Sequence, residues 1–467
     1  VMDPIVIVGG DAAGMSAASK FKREAPDRDV VVFERGEWVS YGACGLPYYV
    51  KGDVEELDDL VSLTAAEFEE RGIDLRTGHE VVAIDTDERT VRVVGPDGEF
   101  TQSYEDLLVA TGARALEPPV AGTDLDGVFT LHEMDAAARI RAYLGLDASP
   151  VDDGAGESAG FDDVSEVDAV AVVGGGYVGV EMAEAFAEHG ITVHLFEMLP
   201  HTLRPFGAEA AAVVEEHLED EGVRLHLNTA VEELAGTESV TAVVTEDGEV
   251  PVDAALLGAG VAPNAELAER AGIELGPTGA VATDEFGRTS ADHVYAAGDV
   301  AEARNVVTDE PDYVPLALTA NRAGRAIGAT LAGEPTRTGG IAGTAALKAF
   351  DLEVARTGLV DEDAAREAGF DPVSVTVTTG SRAHYYPGSR EIQITAVGDA
   401  ESGRLLGASM VGREGVAKRI DTVATALHAG FTAEDASMLD LSYAPPFSPV
   451  WDPVLTAAKV LDGKLAD

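Results

Sequence analysis

Two segments of the chain repeat one pattern of apolar and polar positions. The first opens with the short β-branched run Ile5-Val6-Ile7-Val8, which predicts a buried strand. The glycine-rich turn Gly9-Gly10-Asp11-Ala12-Ala13-Gly14 follows, then a stretch of Ala, Ser and Lys with helical character. A second strand, Val30-Val31-Val32-Phe33, ends at Glu34. The second segment has the strand at 169–173, the turn Gly174-Gly175-Gly176-Tyr177-Val178-Gly179, a helical stretch to His189, and a strand at 193–196 ending at Glu197. Each segment reads as a strand–turn–helix–strand unit closed by an acid.

Outside these units, residues 104–113 read as a strand with a tight turn, and 289–302 as a strand ending in Gly298-Asp299. Residues 145–168 hold no Lys or Arg and are rich in Asp, Glu, Gly and Ser, which predicts a solvated surface connection. From about residue 340 the texture changes. Alternating runs at 373–377 and 392–395 predict an antiparallel sheet, and helical stretches follow around 413–430 and 452–462. The fold class is therefore α/β, with two Rossmann-like dinucleotide-binding domains followed by a C-terminal α+β domain.

Charge narrows the function. The chain of 467 residues carries 84 acidic and 32 basic side chains, a formal charge of −52. A phosphate backbone would be repelled, so nucleic acid is excluded as the default partner, and anionic lipid is disfavoured. The acidity is spread along the chain and only 7 of the 32 basic residues are Lys. That is the surface expected of a protein working in high salt, where screening relieves self-repulsion; a basic partner protein is the alternative. No apolar run reaches 18 residues, so no membrane span is expected. The N-terminus has Asp3 and Asp11 but no basic region, unlike a signal peptide. A single cysteine, Cys44, rules out an intrachain disulfide and a cysteine zinc site, and fits a reducing cytoplasm. The ten histidines are scattered without an HExxH pattern, and no metal is expected.

A glycine turn lets backbone approach a pyrophosphate, and the helix behind it favours the anion. The turn at Gly174, Gly176 and Gly179 with Glu197 fits this pattern at every position. The first turn, with Gly9, Gly14 and Glu34, departs from it: Asp11 stands at the second glycine position, and its side chain is expected to point away from the phosphates. Glu197 would repel a ribose phosphate, favouring NADH, yet His201 and Arg204 lie close enough in sequence to meet one, so NADH or NADPH stays open. Cys44 sits between Gly42, Gly45 and Pro47 in a constrained turn. Five residues on stands Tyr49 rather than a second cysteine. Cys44 must therefore cycle alone, between thiolate and a mixed disulfide or a sulfenic acid.

With the turn at Thr111-Gly112 and the pair Gly298-Asp299, the chain resembles the flavoprotein reductases that bind two dinucleotides. The segments SYGACGLPYYV at 40–50 and LSYAPPFSPVWDP at 441–453 resemble those of coenzyme A disulfide reductases. These share a single-cysteine group with NADH oxidases, NADH peroxidases and persulfide reductases. The resemblance spans essentially the whole chain. It implies an FAD domain from 1–118 and 252–333, an NAD(P)H domain at 119–251 and a dimerisation domain at 334–467.

It also implies site residues. FAD would be held by the first turn, by Thr111 and Gly112, by Asp299 on the ribityl chain, and by Pro315, Leu316 and Ala317 near the flavin's pyrimidine edge, with Gly260 in the cofactor set. Tyr177 would gate the nicotinamide. Ser16, Lys20, Arg23 and Ser40 would contact coenzyme A, with Asn321, Lys418, Tyr386 and Trp451 as further substrate contacts. Tyr443 and Tyr385 would reach from one protomer of a homodimer toward the partner's cysteine, where a phenol can protonate a leaving thiolate.

Three departures qualify the resemblance. Ala12 replaces the acid–base histidine of the oxidases and peroxidases, Ala43 replaces an asparagine that some relatives place before the cysteine, and no second cysteine marks a rhodanese domain. The implied activity is NAD(P)H-dependent reduction of coenzyme A disulfide, or a related small disulfide, to two thiols. The alternatives are an NADH oxidase working through a cysteine sulfenic acid and, in another class, a redox-responsive binding protein.

Overall fold

The β-branched runs become the central strands of two five-stranded parallel sheets. The computed structural model describes residues 3–146 and 167–466. The stretch read as a surface connection, 145–168, falls almost wholly outside the described residues. In the first sheet the order is Val294–Ala296, Leu107–Val109, Ile5–Val8, Val30–Phe33, Asp74–Arg76. Ile5 pairs with Val30 and Val8 with Phe33, and all eight residues of these two strands are buried. One face packs on helices Ala12–Glu24 and Ala317–Leu331 and the other on an antiparallel meander at 80–103, which explains why the central strands are apolar throughout rather than alternating.

The second sheet runs Arg224–His226, Thr192–Phe196, Ala169–Val173, Ala254–Leu257, Val128–Thr130. Its fourth strand corrects the boundary expected at 251/252. Ala254–Leu257 pairs in parallel with 170–173, so the inserted unit ends past Leu257. A buried four-residue apolar run carries no mark of which parallel sheet it joins; pairing decides. The chain leaves and re-enters through a small ribbon, Ala113–Ala115 against Val261–Pro263. Each unit also carries a three-stranded antiparallel meander, at 80–103 and 231–251.

The third unit is an antiparallel sheet in the order Ala345–Ala349, Leu352–Gly358, Leu405–Gly412, Glu391–Asp399, Pro372–Gly380, packed by helices Val416–Ala429 and Pro453–Leu465. Small residues bring helix Ala12–Glu24 against helix Ala317–Leu331: a Cβ on Gly324 would lie 2.1 Å from the Ala13 carbonyl oxygen, and one on Gly328 2.4 Å from that of Ala17. Among the described residues no helix is long and apolar enough to cross a membrane.

Candidate active site

Each glycine turn is closed by the acid that ends its second strand. Glu34 accepts from the N–H of Gly10 and of Gly36, each at 2.8 Å. Glu197 accepts from Gly175 and Leu199 N–H, again at 2.8 Å each. A carboxylate so held keeps lone pairs for ribose hydroxyls. The glycines are sterically required. A Cβ on Gly9 (φ +112°) would lie 2.1 Å from the Ala110 carbonyl oxygen, and one on Gly14 2.0 Å from that of Gly9. Gly174 and Gly179 repeat this against the carbonyl oxygens of Gly258 and Gly174, at 2.4 and 1.9 Å. Gly176 is different. A Cβ there meets nothing within 4 Å, leaving open space at the start of helix Tyr177–Glu188. A pyrophosphate fits such a space beside free backbone N–H groups.

The first turn opens on a cavity of about 630 Å³ whose lining includes Gly9, Glu34, Thr111, Gly112 and Asp299, and which reaches Ala43 beside the cysteine. The Thr111–Gly112 turn is locked by Asn264: Thr111 Oγ1 donates to its carbonyl oxygen at 2.8 Å, and its Nδ2 donates to the Thr111 carbonyl oxygen at 2.9 Å. Glycine turn, hydroxyl-binding acids and proximity to a redox sulfur together fit FAD. Pro315, Ala317 and Gly260 lie outside this lining. Asp11 lines the same cavity, and its carboxylate accepts from Tyr41 N–H on the cysteine segment at 3.1 Å. Burial first, then the charges of Glu34 and Asp299, push its pKa up to about 7.

Cys44 lies in the 3₁₀ turn Ala43–Gly45, just before helix Leu46–Lys51, and is exposed. The segment is pinned on both sides: Ser40 N–H donates to the Gly10 carbonyl oxygen at 3.0 Å, and Gly42 N–H to that of Leu60 at 2.8 Å. Ser40 adopts φ +50°, a left-handed conformation that a serine holds only under such restraint. Tyr49, where a partner cysteine would stand, is fully buried. Desolvation raises the Cys44 pKa, followed by the charges of Glu181, Asp299 and Asp11.

Sequence reasoning missed the seam between the cysteine helix and helix Tyr177–Glu188. Tyr48 Oη donates to Glu181 at 3.0 Å. Burial and then Glu184 raise Glu181 to about 7, against the pull of the Tyr48 hydrogen bond. Glu184, 2% exposed, accepts from Lys51 Nζ at 2.8 Å, Lys348 Nζ at 2.8 Å and Phe350 N–H at 2.7 Å. One carboxylate thus ties three units of the chain. The available signal was two acids, Glu181 and Glu184, among Val180, Met182, Ala183 and Ala185: charges on an apolar helix face need buried partners. Tyr177 Oη accepts from Arg356 Nε at 3.2 Å, and its ring packs on Phe206 at 5.4 Å.

The expected substrate contacts divide. Ser16 Oγ donates to Asn321 Oδ1 at 2.6 Å, so these two meet across the helix pair. Lys20 is paired with Glu24 at 2.5 Å, and Arg23 is exposed one turn away. Tyr385 and Tyr443, both exposed, share a hydrogen bond at 2.9 Å in the C-terminal unit. Tyr386 and Trp451 lie exposed in the same unit, with Lys459 Nζ 4.9 Å from the Trp451 ring centre. Among the described residues, no hydrogen bond or ring contact joins these four aromatics to the cysteine segment of their own chain.

Residues 3–324 match the family described as pyridine nucleotide-disulphide oxidoreductase, and residues 344–453 match its dimerisation domain. The chain is 42% identical over 459 residues to an NAD(P)H coenzyme A polysulfide/persulfide reductase of Pyrococcus horikoshii, covering 98% of each. It is 30% identical to a coenzyme A disulfide reductase of Staphylococcus aureus, covering 96% of this chain and 97% of the other. Among solved structures, an NAD-dependent persulfide reductase from A. fulgidus aligns with a TM-score of 0.91 at 37% identity, covering 99% of this chain and 83% of that one.

Proposed function

The chain belongs to the pyridine nucleotide-disulphide oxidoreductases, flavoproteins that use FAD and NAD(P)H, and from that premise we propose that it reduces coenzyme A disulfide to two coenzyme A thiols. The observation that carries this reading is one exposed cysteine beside the flavin-type cavity, with a buried tyrosine where a second redox cysteine would stand. FAD, when bound, supplies two-electron transfer between nicotinamide and sulfur.

The chain's own residues do the rest. The turn at Gly174, Gly176 and Gly179 with Glu197 holds the dinucleotide, and Tyr177 covers its nicotinamide end. Gly9, Gly14, Glu34, Thr111, Gly112 and Asp299 hold FAD. The FAD unit is 1–118 with 258–333, the NAD(P)H unit 119–257, and the dimerisation unit 334–467. Cys44, as thiolate, attacks one sulfur of the disulfide; the old S–S bond breaks, and the first coenzyme A thiolate takes up a proton. Two electrons from NAD(P)H then break the mixed disulfide, releasing the second thiol and restoring Cys44. In a homodimer, Tyr385 and Tyr443 of one protomer supply phenolic protons to the leaving thiolate at the other site. Ser16, Lys20, Arg23, Ser40 and Asn321 line the approach to the coenzyme.

A coenzyme A persulfide or polysulfide is the second reading, favoured by the higher identity to reductases so named. The test is anaerobic NADH and NADPH oxidation in molar KCl with coenzyme A disulfide or polysulfide as acceptor, and an air-saturated control without acceptor. Fast disulfide-dependent turnover with a slow air control supports the proposal. The reverse would make the protein an oxidase working through a Cys44 sulfenic acid. Cys44→Ser should retain FAD and lose disulfide turnover by roughly 10³-fold or more; substantial residual turnover sinks the single-cysteine mechanism.

A further inference from the structure

The loop after Glu197 folds back onto the second glycine turn. Leu203 N–H donates to the Gly175 carbonyl oxygen at 2.8 Å. A Cβ on Gly175 would lie 2.7 Å from Thr202 Cγ2 and 3.2 Å from Glu197 Oε2, so Thr202 and the Glu197 carboxylate flank the same point of the turn. One buried side chain holds this arrangement. Glu215, on helix Ala208–Asp220, accepts from Thr202 N–H at 2.7 Å and from Thr202 Oγ1 at 3.2 Å, and its other oxygen lies 3.1 Å from His201 Nδ1. Leu203 takes φ +47°, a left-handed conformation that a buried leucine keeps only where its neighbours are so restrained.

His201 is thereby turned onto helix Ala208–Asp220. Arg204, the loop's second base, lies 3.8 Å from Asp361 in the C-terminal unit. On the adjoining strands His194 bonds to His226 at 3.0 Å and to Arg224 at 3.3 Å. Glu197 meanwhile is held in place by two backbone N–H groups. A phosphate on the coenzyme's ribose would meet this fixed carboxylate while the loop's bases are engaged by other acids, and a like charge left uncompensated discriminates between ligands.

Resting on the assignment of this turn to the nicotinamide coenzyme, we propose that Glu215 is the positioning residue that makes the chain select NADH over NADPH. It acts through the loop. By tying Thr202 and His201 to the helix, it keeps the His201 imidazole from pairing with a 2′-phosphate beside Glu197. Released from Glu215, that imidazole is one residue from the point where the loop touches the turn, and it supplies the pairing.

The test is calorimetric binding of ADP-ribose and of its 2′-phosphate to the full-length holoenzyme at fixed molar KCl, with KM and kcat for NADH and NADPH alongside. The unmodified chain should bind the 2′-phosphate at least about tenfold more weakly. Glu215→Ala should narrow that ratio by about tenfold, with the change in KM rather than kcat. Glu215→Gln keeps the acceptor for Thr202 N–H and should stay near the unmodified ratio. Adding His201→Ala to Glu215→Ala should restore it; a ratio that stays relaxed would overturn the proposal. His201→Ala and Arg204→Ala alone should leave the ratio unchanged, and they serve even where Glu215→Ala does not fold. A further tenfold or so loss of the 2′-phosphate ligand in either would place that base on the phosphate and overturn the proposal. Equal weakening of both ligands in Glu215→Ala would also overturn it, as would an unmodified chain that binds both alike. Failure of the unmodified chain to bind either ligand would instead overturn the coenzyme assignment itself.

Discussion

Replacing Glu184 with Gln should loosen the joint between the cysteine helix and the two units packed on it. The carboxylate is 2% exposed and takes three donors at 2.7–2.8 Å. Lys51 is itself largely enclosed, its side chain 13% exposed, and Lys348 is 46% exposed. Gln keeps the volume and one acceptor. It removes the charge opposite two ammonium groups and turns an NH₂ toward a donor. Breaking a buried pair from one side costs about 3–5 kcal/mol. Asp53, 3.1 Å from Lys51 but 55% exposed, recovers part of that. Leaving Phe350 N–H unsatisfied costs about 1–3 kcal/mol. A net loss of about 3–5 kcal/mol follows, or roughly 10² to several thousand-fold in the equilibrium for opening this seam, at about 1.4 kcal/mol per tenfold.

Denaturant midpoints give the total loss, and hydrogen exchange places it: protection should fall in helix Leu46–Lys51 and strand Ala345–Ala349 but not in the sheet at 5–8 and 30–33. Lys348→Met, at a half-exposed partner, should cost about 1 kcal/mol or less. Glu184→Gln with Lys51→Met should be far from additive, coupled by about 1–3 kcal/mol. The reasoning fails if Glu184→Gln costs no more than Lys348→Met.

Glu181 predicts a pH effect. Its folded value, about 7, exceeds the ordinary 4.5. Between those pH values the folded chain keeps a proton that the unfolded chain has released, so this residue's contribution falls as pH rises from 4.5 to 7 and levels above. Glu181→Gln should therefore gain on the unmodified chain across that window in denaturant midpoints, and a pH-independent difference would refute the assignment. Gly176→Ala should fold with unchanged stability, because its Cβ meets nothing and φ −80° suits alanine; it should raise KM for NADH by about tenfold or more if the pyrophosphate sits there. An unchanged KM would remove the dinucleotide from that turn. The charge of −52 predicts a melting temperature that climbs steeply from low to molar KCl as screening shortens the reach of self-repulsion. A flat response would refute the high-salt reading of the composition.

Local pattern carried a large share of what was legible. Strand runs such as Ile5-Val6-Ile7-Val8 and Ala169–Val173 announce themselves because strands covered by helices on one face and a meander on the other must be apolar on both. The two glycine turns do so because only glycine survives within about 2 Å of a neighbouring carbonyl oxygen. The absence of a thiol partner for Cys44 is a matter of counting. Such features depend on a residue and its near neighbours in sequence, and the sequence by itself determined them.

What only the tertiary structure decided lies in contacts between distant segments. Glu184 meets Lys51, Lys348 and Phe350 across 133, 164 and 166 residues of chain. Asp11 accepts from Tyr41 N–H across 30 residues of chain because the cysteine segment folds back over the first turn. Strand Ala254–Leu257 joins the second sheet rather than the first because its free neighbour there is 170–173. No periodicity encodes these choices. A buried charge takes whatever partner the packing of separate units brings within about 3 Å, and that packing is settled by the whole chain at once.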